Sequence, residues 1–322
     1  MNKRLSFAGV KRILKSSFNG FGDDKLTRLS GSLAYSTFFS LCPLLIVIIS
    51  LCSIFLSKSL VEQKVFLQLS SFIGRDTVSQ LRQIMVNSGV NGKNKIALII
   101  GCVGLVLGAT AVFGEIQDSI NMIWGIKPKP KKGWIKMLQT RFLSFSIIVG
   151  LVFLLLVSLV IGSVIDGFSN RLERYFHHGT VSLFYVVNLI LTFIIITIIF
   201  LVIFKVLPDA KIQWKDVLVG SLVASFLFMI GKFVISYYIS KANITSTYGA
   251  AGSLVVILLW VYYSSIILFF GAEISKAYAL EVGSEIHPSR YAVSTKTVEV
   301  ETGSQPIQAK EKINIADTKR KS

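Results

Sequence analysis

The stretch "TYGAAGSLVVILLWVYYSSIILFFGAEISK", residues 247–276, carries no charged side chain from Gly249 to Ala272 and meets a carboxylate only at Glu273. As a helix rising 1.5 Å per residue, that apolar run extends about 36 Å, enough to cross a hydrocarbon core of about 30 Å. Its apolar residues are continuous instead of alternating, which selects a helix over a barrel strand as the spanning form. A helix that only anchors in lipid needs neither the small-residue opening Gly249, Ala250, Ala251, Gly252 nor a carboxylate in its last turn. The small residues predict close helix packing, and Glu273 predicts an end that faces protein or water.

Composition extends this local reading to the chain. Of the 322 residues, 52% are hydrophobic and 16% charged, and the mean hydropathy is +0.66. A soluble domain carries about a quarter charged residues, so the class is an integral membrane protein, all-α and polytopic. Six spans are expected, at about 33–56, 96–114, 142–165, 179–204, 217–240 and 249–272. They make up a transmembrane domain over 31–280. Before Leu33 there is no apolar core, and no cleavable signal peptide is expected. Cys42, Cys52 and Cys102 lie in apolar runs and form no CxxC pair, so they read as small buried residues.

The net charge of +17 is distributed as topology. Most Lys and Arg fall before the first span, in 127–141, in 205–215 and after the sixth span. Under the positive-inside rule those four regions are cytoplasmic, and so are both termini. The basic residues sit in short loops and not on one folded face, so nucleic acid is not an expected partner. Residues 1–30 form a cytoplasmic amphipathic basic helix, with Val10, Ile13, Leu14 and Phe18 apolar and Lys11, Arg12 and Lys15 between them, suited to an anionic membrane surface. The external segment 57–95 places apolar residues at three- and four-residue steps on either side of Gly74. It predicts two short amphipathic helices that cap the bundle or lie in the interface. Residues 281–322 are polar and read as a disordered cytoplasmic tail.

Polar groups in apolar context are the candidate site residues, because a charge at mid-bilayer costs about 2.5–3.5 kcal/mol on insertion scales. Lys232 lies about 22 Å along the fifth span from Val217. It snorkels outward, pairs with Asp166 at the external end of the third span, or lines a cavity. Glu115, Asp118 and Asn121 follow one another at steps of three in "FGEIQDSINMIWG" and are expected near one helix face. Glu273 is expected to meet Glu115, Arg141 and Lys276 at the cytoplasmic side. Pro43 should bend the first span. Together with Tyr35, Tyr248 and Trp260, these residues are expected to form a polar opening or an ion-pair network. Gly104–Gly108 and Gly220–Ala224 have the spacing of close helix contacts.

Soluble catalytic motifs are absent: there is no GxxxxGK[ST], GxSxG or HExxH. Two of the three histidines are adjacent (His177, His178) and the third is His287, which does not make a converging metal set. No catalytic residue, metal or cofactor is expected.

"GSLAYSTFFSLCPLLIVIISL" (Gly31–Leu51) and "YGAAG…LLWVYYS…GAE" (Tyr248–Glu273), together with "FGEIQDSINMIWG" and "VLPDAKIQWKDVLVGSLVAS", resemble the YihY/BrkB family of bacterial inner-membrane proteins. The resemblance covers about 20–279. It implies a six-helix inner-membrane protein and supplies no agreed catalytic residues. Family members have been labelled ribonuclease BN, virulence factors tied to serum resistance, or proteins linked to export of lipid or envelope precursors. The expected function is therefore transport or envelope-lipid handling, with membrane lipids and a lipid-like or small polar solute as partners. A scaffold that moves nothing is the alternative. The ribonuclease label finds no metal-binding residues to support it here.

Overall fold

The computed structural model describes residues 6–52, 57–87, 95–129, 179–241, 251–282, 285–289 and 292–295. In chain order its elements are α1 (Phe7–Asp23), α2 (Leu26–Cys52), α3 (Lys58–Ile73), α4 (Arg75–Asn87), α5 (Lys95–Ile123), β1 (Ile126–Pro128), α6 (Gly179–Val206), β2 (Ala210–Lys211), α7 (Trp214–Lys241), α8 (Gly252–Val282), β3 (His287–Pro288) and β4 (Ala292–Ser294). Among the described residues three stretches are long and apolar enough to cross a membrane: Leu189–Val206, Trp214–Ile235 and Gly252–Val282. They coincide with the fourth, fifth and sixth expected spans, while α2 and α5 cover the first and second. The third expected span, 142–165, lies outside the described residues.

α8 is the central post and packs against α7, α2, α1, α5, α4 and α3. It can do so because it is apolar around most of its circumference, as a buried helix must be. Small residues set its distance to α7. A Cβ at Gly220 would overlap the Gly271 carbonyl, and one at Gly271 would stand 2.8 Å from the Ala224 Cβ. Gly220 and Ala224 of α7 thus face Gly271 and Ser275 of α8. α5 approaches α2 in the same way, since a Cβ at Gly108 would lie 2.7 Å from the Ser40 Cβ. In lipid no hydrophobic force draws helices together, so such close backbone packing carries the association. Helix α2 runs unbroken past Pro43 to Cys52.

α3 and α4 meet at Gly74, whose φ of 82° turns the chain. Val61, Val65 and Ile73 of α3 and Val78 and Leu81 of α4 are buried in the common core, so this pair packs into the bundle and does not lie flat on a membrane surface. Leu69 and Ile73 reach a cavity also lined by Leu41 of α2. Leu41 is 11 residues before Cys52, so α3 folds back along α2 by about 16 Å.

Two features differ from the sequence expectation. α1 was expected to lie in the membrane interface, but it stands alongside α8. Its contacts on α8 run antiparallel from Glu281, beside Gly9 and Arg12, to Phe270, beside Phe18 and Phe21. A helix lying in the interface would cross α8 at one level, whereas these contacts follow it for about 16 Å. α1 also ends at Asp23, because Lys25 takes the left-handed conformation (φ 52°) and its carbonyl starts α2 by accepting from the Arg28 and Leu29 N–H groups.

The segment after α8, expected to be disordered from 281, is ordered over 285–289 and 292–295. It pairs antiparallel with both preceding loops: β3 with β2 (Lys211 opposite His287) and β4 with β1 (Lys127 opposite Val293). Backbone pairing needs no apolar side chains, which is why composition gave no sign of it.

Replacing Gly220 by Val is expected to lower the thermal midpoint in detergent, at a cost of about 1–3 kcal/mol, since the obstructing Gly271 carbonyl cannot rotate away. Gly114→Ala is the matched control: its Cβ meets nothing within 4 Å, and no loss should be measured.

Candidate functional site

One group of polar residues gathers at the end of the bundle where α5, α6 and α8 finish and α2 and α7 begin. There α5 turns its buried Gln117 and Asn121 toward the α6–α7 loop, "LPDAK". The Nε2 of Gln117 and the Nδ2 of Asn121 each donate to Asp209 Oδ2 at 3.1 Å, and the Asp209 N–H donates to Asn121 Oδ1 at 2.8 Å. The Asp209 carbonyl accepts from the Ser289 N–H at 2.9 Å, which brings the strap after α8 into the same knot. Beside it, Trp124 Nε1 donates to the Ala272 carbonyl at 3.0 Å and the Thr295 N–H donates to the Gly125 carbonyl at 2.7 Å. Lys205 donates to the Ile212 carbonyl and lies 5.1 Å from the Trp214 ring centre.

A second cluster joins α1 to α8. Glu273 is 2% exposed and pairs with Lys276 at 3.2 Å, and Lys276 pairs with Asp24 at 3.0 Å. Room for the Glu273 carboxyl exists only because residue 20 is glycine, where a Cβ would stand 2.5 Å from Glu273 Cδ. Lower down, the Arg12 guanidinium donates to both carboxylate oxygens of Glu281. A buried carboxylate needs its counter-charge in place, so Gly20, Glu273, Lys276 and Asp24 form one structural unit.

Two cavities follow the seam between α2, α5 and α8. One, of about 410 Å³, is walled by α2, α3, α5, α6, α7 and α8, and among the described residues Thr37, Ser264 and Ser265 are its only hydroxyl-bearing walls. The other, of about 760 Å³, opens at the polar end between the α1–α2 junction, the end of α5, Lys276 and Thr295.

The candidate residues separate accordingly. Of the partners expected for Glu273, Lys276 is in place; among the described residues Glu115 makes no pair with it, and Asp24 is a partner the sequence did not suggest. Asn121 is buried in the Asp209 knot, Asp118 is exposed and Glu115 is half-buried, so the three do not share one environment. Trp260 packs edge-on against Phe228 with ring centres 5.8 Å apart, and it lines the apolar cavity. Lys232 is half-buried beside Gly231, whose bare backbone accommodates the Tyr263 ring. Tyr35 is exposed and packs on Phe39 at 4.9 Å. Pro43 lies inside α2. Arg141, Asp166 and Tyr248 fall outside the described residues. Gln117, Asp209, Asp24 and Gly20 were missed. The signal for Asp209 was present in Pro208–Asp209, a turn-forming pair next to a helix end.

This arrangement defines a helical integral membrane protein whose polar loops are tied together at one end. The chain belongs to the Virulence factor BrkB family, whose model matches residues 17–293. It is 26% identical to a UPF0761 membrane protein of Mannheimia succiniciproducens, over 85% of this chain and 91% of the relative. It is 30% identical to another from Aeromonas salmonicida, over 79% of this chain and 84% of the relative. No solved structure matches the chain.

Asn121→Ala should destabilise the protein by about 1–3 kcal/mol through the unmet hydrogen bonds of Asp209. Asn121→Asp should cost more, because it sets a second carboxylate against Asp209. Thermal unfolding in detergent ranks the two. Gly20→Leu should displace α1 from α8, seen as faster proteolytic cutting at Lys11, Arg12 or Lys15 while the rest of the chain stays resistant.

Proposed function

We propose that this protein is a lipid-handling membrane protein of the transporter-like kind, taking an acyl chain into its helix bundle. The observation that carries this reading is the 410 Å³ cavity walled by Leu33, Val112, Ile199, Phe228, Val261 and their neighbours. Its size falls in the range of ligand sites, and its walls offer almost nothing to a polar solute, which would forfeit hydrogen bonds on entry. An acyl tail forfeits none. In this reading the bundle has six spans in a bacterial inner membrane. The end that gathers Lys25, Arg28, Lys127, Lys205, Lys211 and Lys276 is cytoplasmic, as the positive-inside rule requires. The polar knots at Asp209 and Glu273 then act as seals on that side, and no catalytic step is assigned to them.

The competing role is a scaffold that moves nothing. It is favoured by the stripe Phe7, Val10, Leu14 and Phe18, which α1 leaves exposed.

Val261→Trp fills the cavity without touching either polar knot. Lipid extracted from the purified variant should fall to half or less of the wild-type amount per protein, at an unchanged thermal midpoint. Equal lipid content in the two proteins would sink the acyl-chain reading and leave the scaffold.

A further inference from the structure

The two cavities occupy one seam, and they differ in chemistry in the way the two ends of an amphiphile do. Leu33 lines the apolar cavity and Leu29 the polar one, a single turn apart on α2. On α8 the corresponding residues are Leu268 and Lys276, and on α5 Ile116 and Met122. At 1.5 Å per residue the polar cavity therefore begins about 6–12 Å below the apolar one. That is the offset between a lipid headgroup and the upper part of its own tail.

The polar cavity carries charges of both signs. Lys276 is already committed to Asp24 and Glu273. Asp23, Lys25 and Arg28 remain exposed, and among the described residues they make no ion pair. Lys25 and Arg28 stand at the start of α2, where the helix dipole and the first N–H groups also favour a negative group. Asp23, one residue beyond the turn, would repel a purely anionic ligand and would attract an amine. We infer that the polar cavity takes a zwitterionic headgroup, a phosphodiester bearing a primary amine. The phosphate sits at Lys25 and Arg28, the ammonium at Asp23, and the tail rises into the apolar cavity. This rests on the acyl-chain reading above and adds the headgroup class to it.

The test uses the full chain in detergent, offered an equal mixture of phosphatidylethanolamine and phosphatidylglycerol with identical acyl chains, with bound lipid counted by native mass spectrometry. The wild type should retain phosphatidylethanolamine several-fold over phosphatidylglycerol. Asp23→Asn should bring the ratio near one, and Arg28→Gln should reduce retention of both. Neither substitution removes an ion pair among the described residues, so the fold is not at stake. A second arm adds soluble glycerophosphoethanolamine at the lipid concentration, and it should fail to displace the lipid because it lacks the tail.

Retention of both lipids without preference, or a preference unchanged by Asp23→Asn, overturns the headgroup assignment while the acyl-chain reading survives. Displacement by the soluble headgroup at equal concentration overturns the joining of the two cavities into one amphiphile site. Retention of neither lipid overturns the acyl-chain reading itself, and this inference with it.

Discussion

The close approach of α7 and α8 is the constraint on which the rest of the structure is arranged. Gly220 opposite the Gly271 carbonyl lets two apolar helices meet at backbone distance. In a bilayer that contact has to come from fit, because lipid tails satisfy apolar side chains as well as protein does. With α8 fixed against α7, its remaining faces receive α2, α5, α1 and the α3–α4 pair. Side chains larger than hydrogen at Gly220 or Gly271 would push α7 and α8 apart and disturb the apolar cavity, which both helices line.

At the polar end the same economy of space appears in another form. Gly20 leaves room for the Glu273 carboxyl, and Lys276 and Asp24 complete its charge balance. The Asp209 knot does comparable work with neutral amides: three side chains from α5 and one loop satisfy one another's buried hydrogen bonds. Each group left alone there would keep its desolvation cost, so the knot forms as a unit. The strap after α8 then closes both loops by backbone pairing. Four polar segments far apart in the chain are thereby tied together at one end of the bundle.

Helical periodicity explains which site residues were legible. Asn121 was among the polar residues expected to face protein or a watery opening, and it is buried against Asp209, while Glu115 and Asp118 do not join it there. Steps of three lose about 60° of a turn each, so Glu115 and Asn121 lie about 120° apart around α5. Gln117 and Asn121, four apart, lie about 40° from each other and reach Asp209 together. Lys276 could be paired with Glu273 on spacing alone, as residues three apart on one helix. Asp24 could not, since it is more than 250 positions away and arrives by way of the α1–α2 turn.

The sequence by itself determined the class of protein, the apolar spans of the later helices, the small-residue contacts and the division into basic and less basic loops. All of these depend on local composition or on helical spacing, which one segment can display alone. Only the tertiary structure decided that α1 stands along α8, that residues 285–295 are a strap, that Asp209 is the hub of the polar end, and that an apolar cavity lies above a polar one. Those features depend on which distant segments become neighbours, and that choice is made by backbone fit and mutual hydrogen bonding, which leave no periodic trace in the chain.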